Sequence, residues 1–138
     1  MNHPQLIEEA LIARAAAYAP YSRFEVGAAV LCSDGRVFRG CNVENASYGL
    51  CSCAERTALF SAIAAGYRPG EFSALAVVGP TEGPVSPCGA CRQVILELGG
   101  ATMSVICANL TGQVRVDLAG DLLPGAFDGA CLTVACHP

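Results

Sequence analysis

Basic side chains are scarce in this sequence. Only 8 of its 138 residues are Lys or Arg, against 12 Asp or Glu, and the formal net charge is -4. The few basic residues form no cluster along the chain. Proteins that bind a nucleic-acid polymer normally carry a basic patch, because phosphate contacts supply most of their affinity. The charge balance therefore argues against a polynucleotide partner and leaves a small neutral ligand open.

Long apolar runs and a leader pattern are lacking as well. No apolar stretch approaches the ~20 residues that a membrane span requires, and Met1 to Glu9 lack the charged-then-apolar layout of a signal peptide. The 9 cysteines are an odd number in a chain longer than most disulfide-rich secreted domains. We therefore expect no membrane association, and a cytoplasmic protein whose thiols are free to serve as metal ligands.

The length of 138 residues is typical of one domain, and we find neither an internal repeat nor a linker. We therefore expect residues 1–138 to form a single domain. The hydrophobic fraction of 53% exceeds that of an ordinary monomer, while only 14% of residues are charged. Surplus apolar surface favours an interface between subunits.

Apolar periodicity predicts an alternation of helices and strands. Asp34-Gly35 between two β-prone runs is typical of a hairpin. The predicted helices span Pro4–Tyr18, Cys53–Gly66 and Gly89–Leu98, and the predicted strands span Val26–Cys32, Val37–Asn42, Ala74–Val78, Met103–Ala108 and Gln113–Asp117. Strand-helix-strand units form parallel crossovers, so this order predicts an α/β domain with a mixed sheet and helices on both faces. The tail from Leu122 gives no clear pattern.

Two cysteine motifs stand at predicted helix starts, where α/β sheets place their sites. The first is Cys53-Ala54-Glu55, and the second is Pro87-Cys88-Gly89-Ala90-Cys91. A helix N-terminus favours thiolate, and cysteines three apart lie on one helical face. One crossover separates the motifs, so both helix starts can meet at one sheet edge. Cys53, Cys88 and Cys91 thus predict a zinc site whose fourth position stays open for water.

The residues next to Cys53 predict the chemistry of such a site. Glu55, in the first helical turn, is placed to take a proton from a metal-bound water and to deliver it to the substrate. Three thiolates leave the zinc centre with excess negative charge. We expect Arg56 to offset this charge by donating hydrogen bonds to the sulfur atoms.

The cysteine pattern also has simpler interpretations. A Cys-x-x-Cys pair can be a redox couple or part of a structural zinc module. Cys51 is an alternative ligand, whereas His3 and His137 lie near the ends, where we expect them to be solvated. The remaining cysteines are expected to be small buried hydrophobes: Cys32, Cys41, Cys51, Cys107, Cys131 and Cys136.

At these motifs the sequence resembles the cytidine deaminase family, in its small homotetrameric class. The segments that carry the resemblance are Asn42–Tyr48 running into Cys53–Ala58, Ser86–Gln93, and Tyr21–Phe24 followed by Val26–Ala29. The cysteine and glutamate pattern is that of zinc deaminases in their three-cysteine form. The resemblance implies a three-layer domain with a mixed five-stranded sheet, one Zn²⁺ per chain on Cys53, Cys88 and Cys91, and Glu55 as proton shuttle.

The resemblance also implies a nucleoside site. Asn42 and Glu44 match the residues that bind the ribose hydroxyls, and Phe24 matches the aromatic side chain beside the base. Backbone groups of Ala54 and Ser86 match contacts to the pyrimidine. Three further positions match residues that serve a site shared with other subunits: Ala46, Tyr48 and, lent across the interface, Phe127. The implied reaction converts cytidine or deoxycytidine and water to uridine or deoxyuridine and ammonia, a step of pyrimidine salvage.

Several alternatives remain open at this point. A related deaminase could act on a nucleoside antibiotic or a modified base, although Asn42 and Glu44 favour an unmodified ribose. A polynucleotide deaminase would need a basic groove. A structural zinc module or a thiol oxidoreductase would use the same cysteines without deamination. Phe24 and Phe127 could be packing residues, and Asp128–Leu132 is less acidic than the family's tail.

Overall fold

The computed structural model describes residues 1–135, so Cys136 and His137 lie outside the described residues. The helices are α1 His3–Arg14, α2 Ala54–Ala64, α3 Gly89–Gly99 and α4 Gly129–Ala135. The strands are β1 Gly27–Cys32, β2 Val37–Cys41, β3 Phe72–Gly79, β4 Ser104–Asn109 and β5 Val114–Leu118. Two 3₁₀ turns span Tyr48–Leu50 and Ala119–Leu122. Among the described residues, no helix has the length and hydropathy needed to traverse a bilayer.

The strands form one mixed sheet in the order β2-β1-β3-β4-β5. β1 runs antiparallel to both β2 and β3, β3 and β4 are parallel, and β5 is antiparallel to β4. Strands β2, β3 and β4 therefore point the same way, and α2 and α3 are the crossovers that connect them. This arrangement confirms the predicted mixed five-stranded sheet.

Helices cover both faces of the sheet. On one face Leu6 and Ala10 of α1 pack against strand residues such as Ala29, Ala76 and Ile106. On the other face α2 and α3 pack through a larger apolar cluster whose fully buried members include Leu59, Ile95, Val30, Leu75 and Val105. Alternate residues of β1, β3 and β4 enter opposite clusters because successive strand side chains point to opposite faces. The predicted layered α/β architecture is confirmed.

Two glycines bring helices unusually close to the sheet. A Cβ built on Gly27 would overlap the Ala10 carbonyl oxygen of α1, and one built on Gly40 would overlap the backbone of α2 at Ala54 and Ala58. Only glycine allows such an approach. Because Gly40 lies near the end of β2, it fixes the first turn of α2 above that end of the sheet.

The predicted end of the first helix and the predicted burial of some cysteines were wrong. The first helix ends at Arg14 rather than Tyr18, because the Tyr18 amide donates to the Asn42 carbonyl (3.0 Å) and leaves the helical path. The tail, unassigned from the sequence, forms α4. Among the remaining cysteines, Cys32 and Cys107 are buried as predicted, but Cys131 is exposed and Cys41 and Cys51 are only half-buried.

Candidate metal centre and adjoining cavity

Two helix starts bring three sulfur atoms together. Cys53 is the N-cap of α2 and Cys88 is the N-cap of α3, and neither side chain makes a capping hydrogen bond. Both sulfur atoms are therefore free to face a ligand. Cys91, one turn into α3, is fully buried. The three Sγ atoms lie within 4.8 Å of one another, and no other such group of potential metal ligands occurs in the part of the chain that the structure describes.

The geometry of this cluster fits zinc. The Sγ atoms of Cys53 and Cys88 are 3.7 Å apart. Two ligands at the zinc–sulfur distance of about 2.3 Å on a tetrahedral ion are separated by about 3.8 Å. Cys53, Cys88 and Cys91 therefore form the candidate zinc site of the chain. The alternative ligand Cys51 lies elsewhere: its sulfur accepts a hydrogen bond from the Asn45 amide at 3.2 Å.

The electrostatics around Cys53 favour a thiolate. The Cys91 thiol and an Nη of Arg56 donate hydrogen bonds to the Cys53 sulfur, the latter at 3.4 Å, and they lower the pKa of Cys53 to about 5. The contact with Cys53, together with burial, raises the pKa of Cys91. Arg56 thus makes the contact with sulfur that the sequence predicted. A cation at this position offsets part of the negative charge that several thiolates would share.

Glu55 is a charged residue in the protein interior, with 4% of its surface exposed. Burial raises the pKa of Glu55 to about 7. A carboxyl group with such a pKa can both accept and donate a proton near neutral pH, which is the property that general acid–base catalysis requires. Its position in the first turn of α2 places it against Cys91, within the sulfur cluster.

A cavity of about 170 Å³ opens beside the sulfur atoms and is called the sulfur-lined cavity below. Its walls combine the metal motifs with residues from the sheet and two loops: Phe24, Val26, Asn42, Cys53, Ala54, Glu55, Val77, Val85, Ser86 and Cys88. The structure therefore brings Phe24, Asn42, Ala54 and Ser86 of the predicted substrate set to the same space as Glu55. Val26, Val77 and Val85 are wall residues that the sequence analysis did not single out.

Asn42 fixes one wall of this cavity. Its Oδ1 accepts from the Val26 amide at 2.9 Å, and its Nδ2 donates to the Phe24 carbonyl at 2.7 Å. An Asn amide has two donor hydrogens and two acceptor lone pairs. One hydrogen and one lone pair of Asn42 therefore remain available to a ligand.

Glu44 lies apart from this cavity. It borders a neighbouring cavity of about 260 Å³ together with Tyr21, Ser22, Tyr48 and Cys51. Its Oε1 accepts from the amides of Tyr21 (3.0 Å) and Ser22 (3.1 Å), and its Oε2 accepts from the Ser22 hydroxyl. These hydrogen bonds, that of the Ser22 hydroxyl first, lower the pKa of Glu44. In the single chain, Glu44 therefore holds the loop that precedes Phe24.

Three predicted site residues face outward in the single chain. Ala46 lies in an exposed loop. Tyr48 is 73% exposed and Phe127 is 59% exposed. None of the three borders the sulfur-lined cavity. Their predicted roles require a second subunit and stay predictions.

Three converging sulfur atoms beside a buried carboxyl group of neutral pKa are the features of a zinc-dependent hydrolase. The comparisons with known proteins narrow this class. The family model described as the cytidine and deoxycytidylate deaminase zinc-binding region matches residues 1–108. The chain therefore belongs to this family of zinc-binding hydrolytic deaminases, as the sequence resemblance implied.

Individual relatives cover nearly the whole chain. A cytidine deaminase of Sporosarcina psychrophila is 52% identical over 137 residues, which are 99% of this chain and 99% of the relative. One of Halalkalibacterium halodurans is 56% identical over 127 residues, which are 92% of this chain and 95% of the relative. The crystal structure of a cytidine deaminase from Burkholderia pseudomallei is similar at a TM-score of 0.91 and 69% identity, and the match covers 92% of this chain and 100% of that chain.

Proposed function

We propose that this protein hydrolyses cytidine and deoxycytidine to uridine and deoxyuridine with release of ammonia, as a step of pyrimidine salvage. The observation that carries the proposal is the sulfur cluster of Cys53, Cys88 and Cys91 with buried Glu55 at one cavity. Relatives that match almost the full chain are named cytidine deaminases. The three cysteines would hold one Zn²⁺ per chain, which supplies an activated water when bound.

The chain's own residues would do the remaining work. Glu55 would accept one proton from the attacking water and transfer it to the ring nitrogen of the pyrimidine, and would then take the second proton from the newly added hydroxyl and transfer it to the departing amine. Its burial keeps its pKa near 7, so both transfers take place at neutral pH. Arg56 stabilises the thiolate of Cys53 through its hydrogen bond.

The substrate would lie in the sulfur-lined cavity with its base against Phe24. Backbone groups of Ala54 and Ser86 contact the pyrimidine, and the free amide hydrogen of Asn42 reaches a ribose hydroxyl. Glu44 would join Asn42 at the sugar, using acceptor capacity beyond its bonds to the Tyr21–Ser22 loop, since a carboxylate has about four lone-pair sites.

We further propose that the 138 residues form a single domain and that the protein is a cytoplasmic homotetramer with sites shared between subunits. Large apolar side chains remain exposed in the single chain, among them Val114, Val116 and Leu118 on the edge strand β5. Such surface is typical of subunit interfaces. Ala46, Tyr48 and Phe127 would serve a neighbouring subunit's site. The free thiols suit a reducing compartment.

The test combines an ultraviolet absorbance assay with metal analysis of the same purified sample. We expect about one zinc per chain, turnover of cytidine and deoxycytidine, and loss of turnover when a chelator removes the metal. A panel of cytosine nucleosides with modified bases or sugars, and single-stranded DNA, serves as the control for specificity. Zinc-loaded protein that leaves cytidine unchanged would refute the proposed function.

A further inference from the structure

We propose that Arg92 is a positioning residue that sets the affinity of the sulfur-lined cavity for its nucleoside by holding the Ser86–Pro87 wall. This inference rests on the proposed function. Arg92 lies in the first turns of α3 and is half-buried. Three of its nitrogens each find an acceptor: Nε donates to the Pro87 carbonyl at 2.8 Å, Nη2 to the Ser86 hydroxyl oxygen at 2.6 Å, and Nη1 to the Leu122 carbonyl at 2.9 Å.

The wall that Arg92 holds has little support of its own. Residues 80–88, between β3 and α3, contain neither helix nor strand. The Val85 amide reaches the Ala108 carbonyl at 3.4 Å, which is long for a hydrogen bond. The two charge-assisted bonds from Arg92 are shorter, so they constrain Ser86 and Pro87 more strongly. Ser86 borders the cavity, and Cys88 follows Pro87 directly.

The third bond ties this wall to the end of the chain. Leu122 is buried at the end of the Ala119–Leu122 turn. The next residue of α3, Gln93, donates from Nε2 to the Phe127 carbonyl at 2.8 Å. Consecutive residues of the helix that carries Cys91 thus hold both ends of the segment Leu122–Phe127. The Arg92 guanidinium, which belongs to α3, therefore contacts both the Ser86–Pro87 wall and the start of the Leu122–Phe127 segment.

The bonding pattern requires arginine. The three acceptors bind three different nitrogens of the planar guanidinium, which holds its donors in a fixed fork, whereas the three N–H donors of lysine share one nitrogen. Replacing Arg92 with Ala would leave the Pro87 and Leu122 carbonyls without this donor and would let the Ser86–Pro87 segment move. In the proposed function the Ser86–Pro87 segment contacts the substrate and transfers no proton. Its displacement should therefore weaken substrate binding more than it slows turnover.

The test compares Arg92→Ala and Arg92→Lys with the matched control Arg68→Ala. Arg68 also donates to two backbone carbonyls, those of Ile63 (3.1 Å) and Tyr67 (2.7 Å), but it lies past the far end of α2. We expect Arg92→Ala to raise the KM for cytidine about tenfold or more with a smaller fall in kcat, and Arg92→Lys to recover only part of this. The control should keep KM within about twofold. A KM for Arg92→Ala or Arg92→Lys no higher than that of Arg68→Ala would overturn the proposal.

A double-mutant cycle with Ser86→Ala separates positioning from general stability. If Arg92 acts through Ser86, the effect of Ser86→Ala on KM should shrink in the Arg92→Ala background, because the contact is already lost. Additive effects would overturn this mechanism.

Metal retention gives a readout that does not depend on turnover. We expect Arg92→Ala to lose zinc to a chelator faster than Arg68→Ala, since the Pro87 carbonyl next to Cys88 is no longer held. Equal rates of zinc loss would count against the inference. If the zinc-loaded parent protein did not turn over cytidine, the proposed function alone would fail. The comparison of zinc loss would still test whether Arg92 holds the Ser86–Pro87 wall.

Discussion

Gly40 lies where the end of β2 passes beneath the first turns of α2. A methyl group at this position would overlap the Ala54 carbonyl and the Ala58 amide, both of which are backbone atoms of the helix. Backbone cannot move aside as a side chain does, so Gly40→Ala must displace the helix from the sheet. The displaced turn carries Cys53 and Glu55.

The magnitude follows from the packing. Overpacking a close-packed core typically costs about 1–3 kcal/mol, and a clash with helix backbone belongs at the upper end of this range. The apolar cluster that α2 fills includes the fully buried Ala58, Leu59 and Ala62, so a shift of the helix also disturbs their packing. For a domain of this size, about 3 kcal/mol corresponds to a fall in Tm of roughly 10 °C.

The assay is thermal unfolding of zinc-loaded protein, together with the rate of zinc transfer to a chelator. Gly83→Ala is the matched control, because a Cβ at Gly83 meets nothing within 4 Å. We expect Gly40→Ala to lose stability and to release zinc faster, while Gly83→Ala matches the parent protein. A Gly40→Ala protein with the parent's Tm and zinc retention would refute the reasoning that Gly40 sets the distance between α2 and the sheet.

Three further substitutions test separate features. Glu55→Gln should retain zinc and fold while kcat falls about 10²- to 10⁴-fold, because the proton carrier is lost; activity near that of the parent would remove Glu55 from the mechanism. Ser22→Ala should raise the KM for cytidine with little change in Tm, because the Ser22 hydroxyl accepts from the Phe24 amide at 3.0 Å; an unchanged KM would contradict this. Tyr67→Phe should lower stability to denaturant at neutral pH, because the Tyr67 hydroxyl donates to Asp34 at 2.5 Å. That bond lowers the pKa of Asp34, so the stability difference should begin to shrink as the pH falls below the ordinary carboxyl value of 3.8 and should vanish once the pH is below the lowered pKa of the folded protein; a gap that persists unchanged in acid would exclude this cause.

The order of elements could be predicted because local chemistry determines it. Asp34-Gly35 supplies the hairpin turn, and Gly35 has the positive φ of 93° that such a turn requires. The sequence predicts that both cysteine motifs lie at helix starts, and Cys53 and Cys88 are indeed the N-caps of α2 and α3. The convergence of their sulfur atoms follows from the crossover topology.

Features that depend on distant backbone groups could not be predicted. The helix pattern around Tyr18 continues past Arg14, but pairing of Tyr18 with the Val43 region ends the helix early. The exposure of Cys131 depends on how the tail packs, and its sequence gives no clear periodicity. Arg92 and two of its acceptors, Ser86 and Pro87, share the Ser86–Gln93 motif, but the sequence gives no sign that Arg92 folds back onto them or that it reaches the distant Leu122 carbonyl.

Glu44 shows most clearly how the fold limits inference from a motif. Alternation along Asn42–Ala46 places Asn42 and Glu44 on one side of an extended segment, but their side chains border different cavities. The amides of Tyr21 and Ser22 supply the donors that turn the Glu44 carboxylate away, and Arg23 adopts a positive φ of 56° within the same loop. A bound sugar near Asn42 would have to compete with those donors or share the carboxylate with them. We therefore expect the loop from Tyr21 to Phe24 to determine whether Glu44 can take part in the proposed sugar contact.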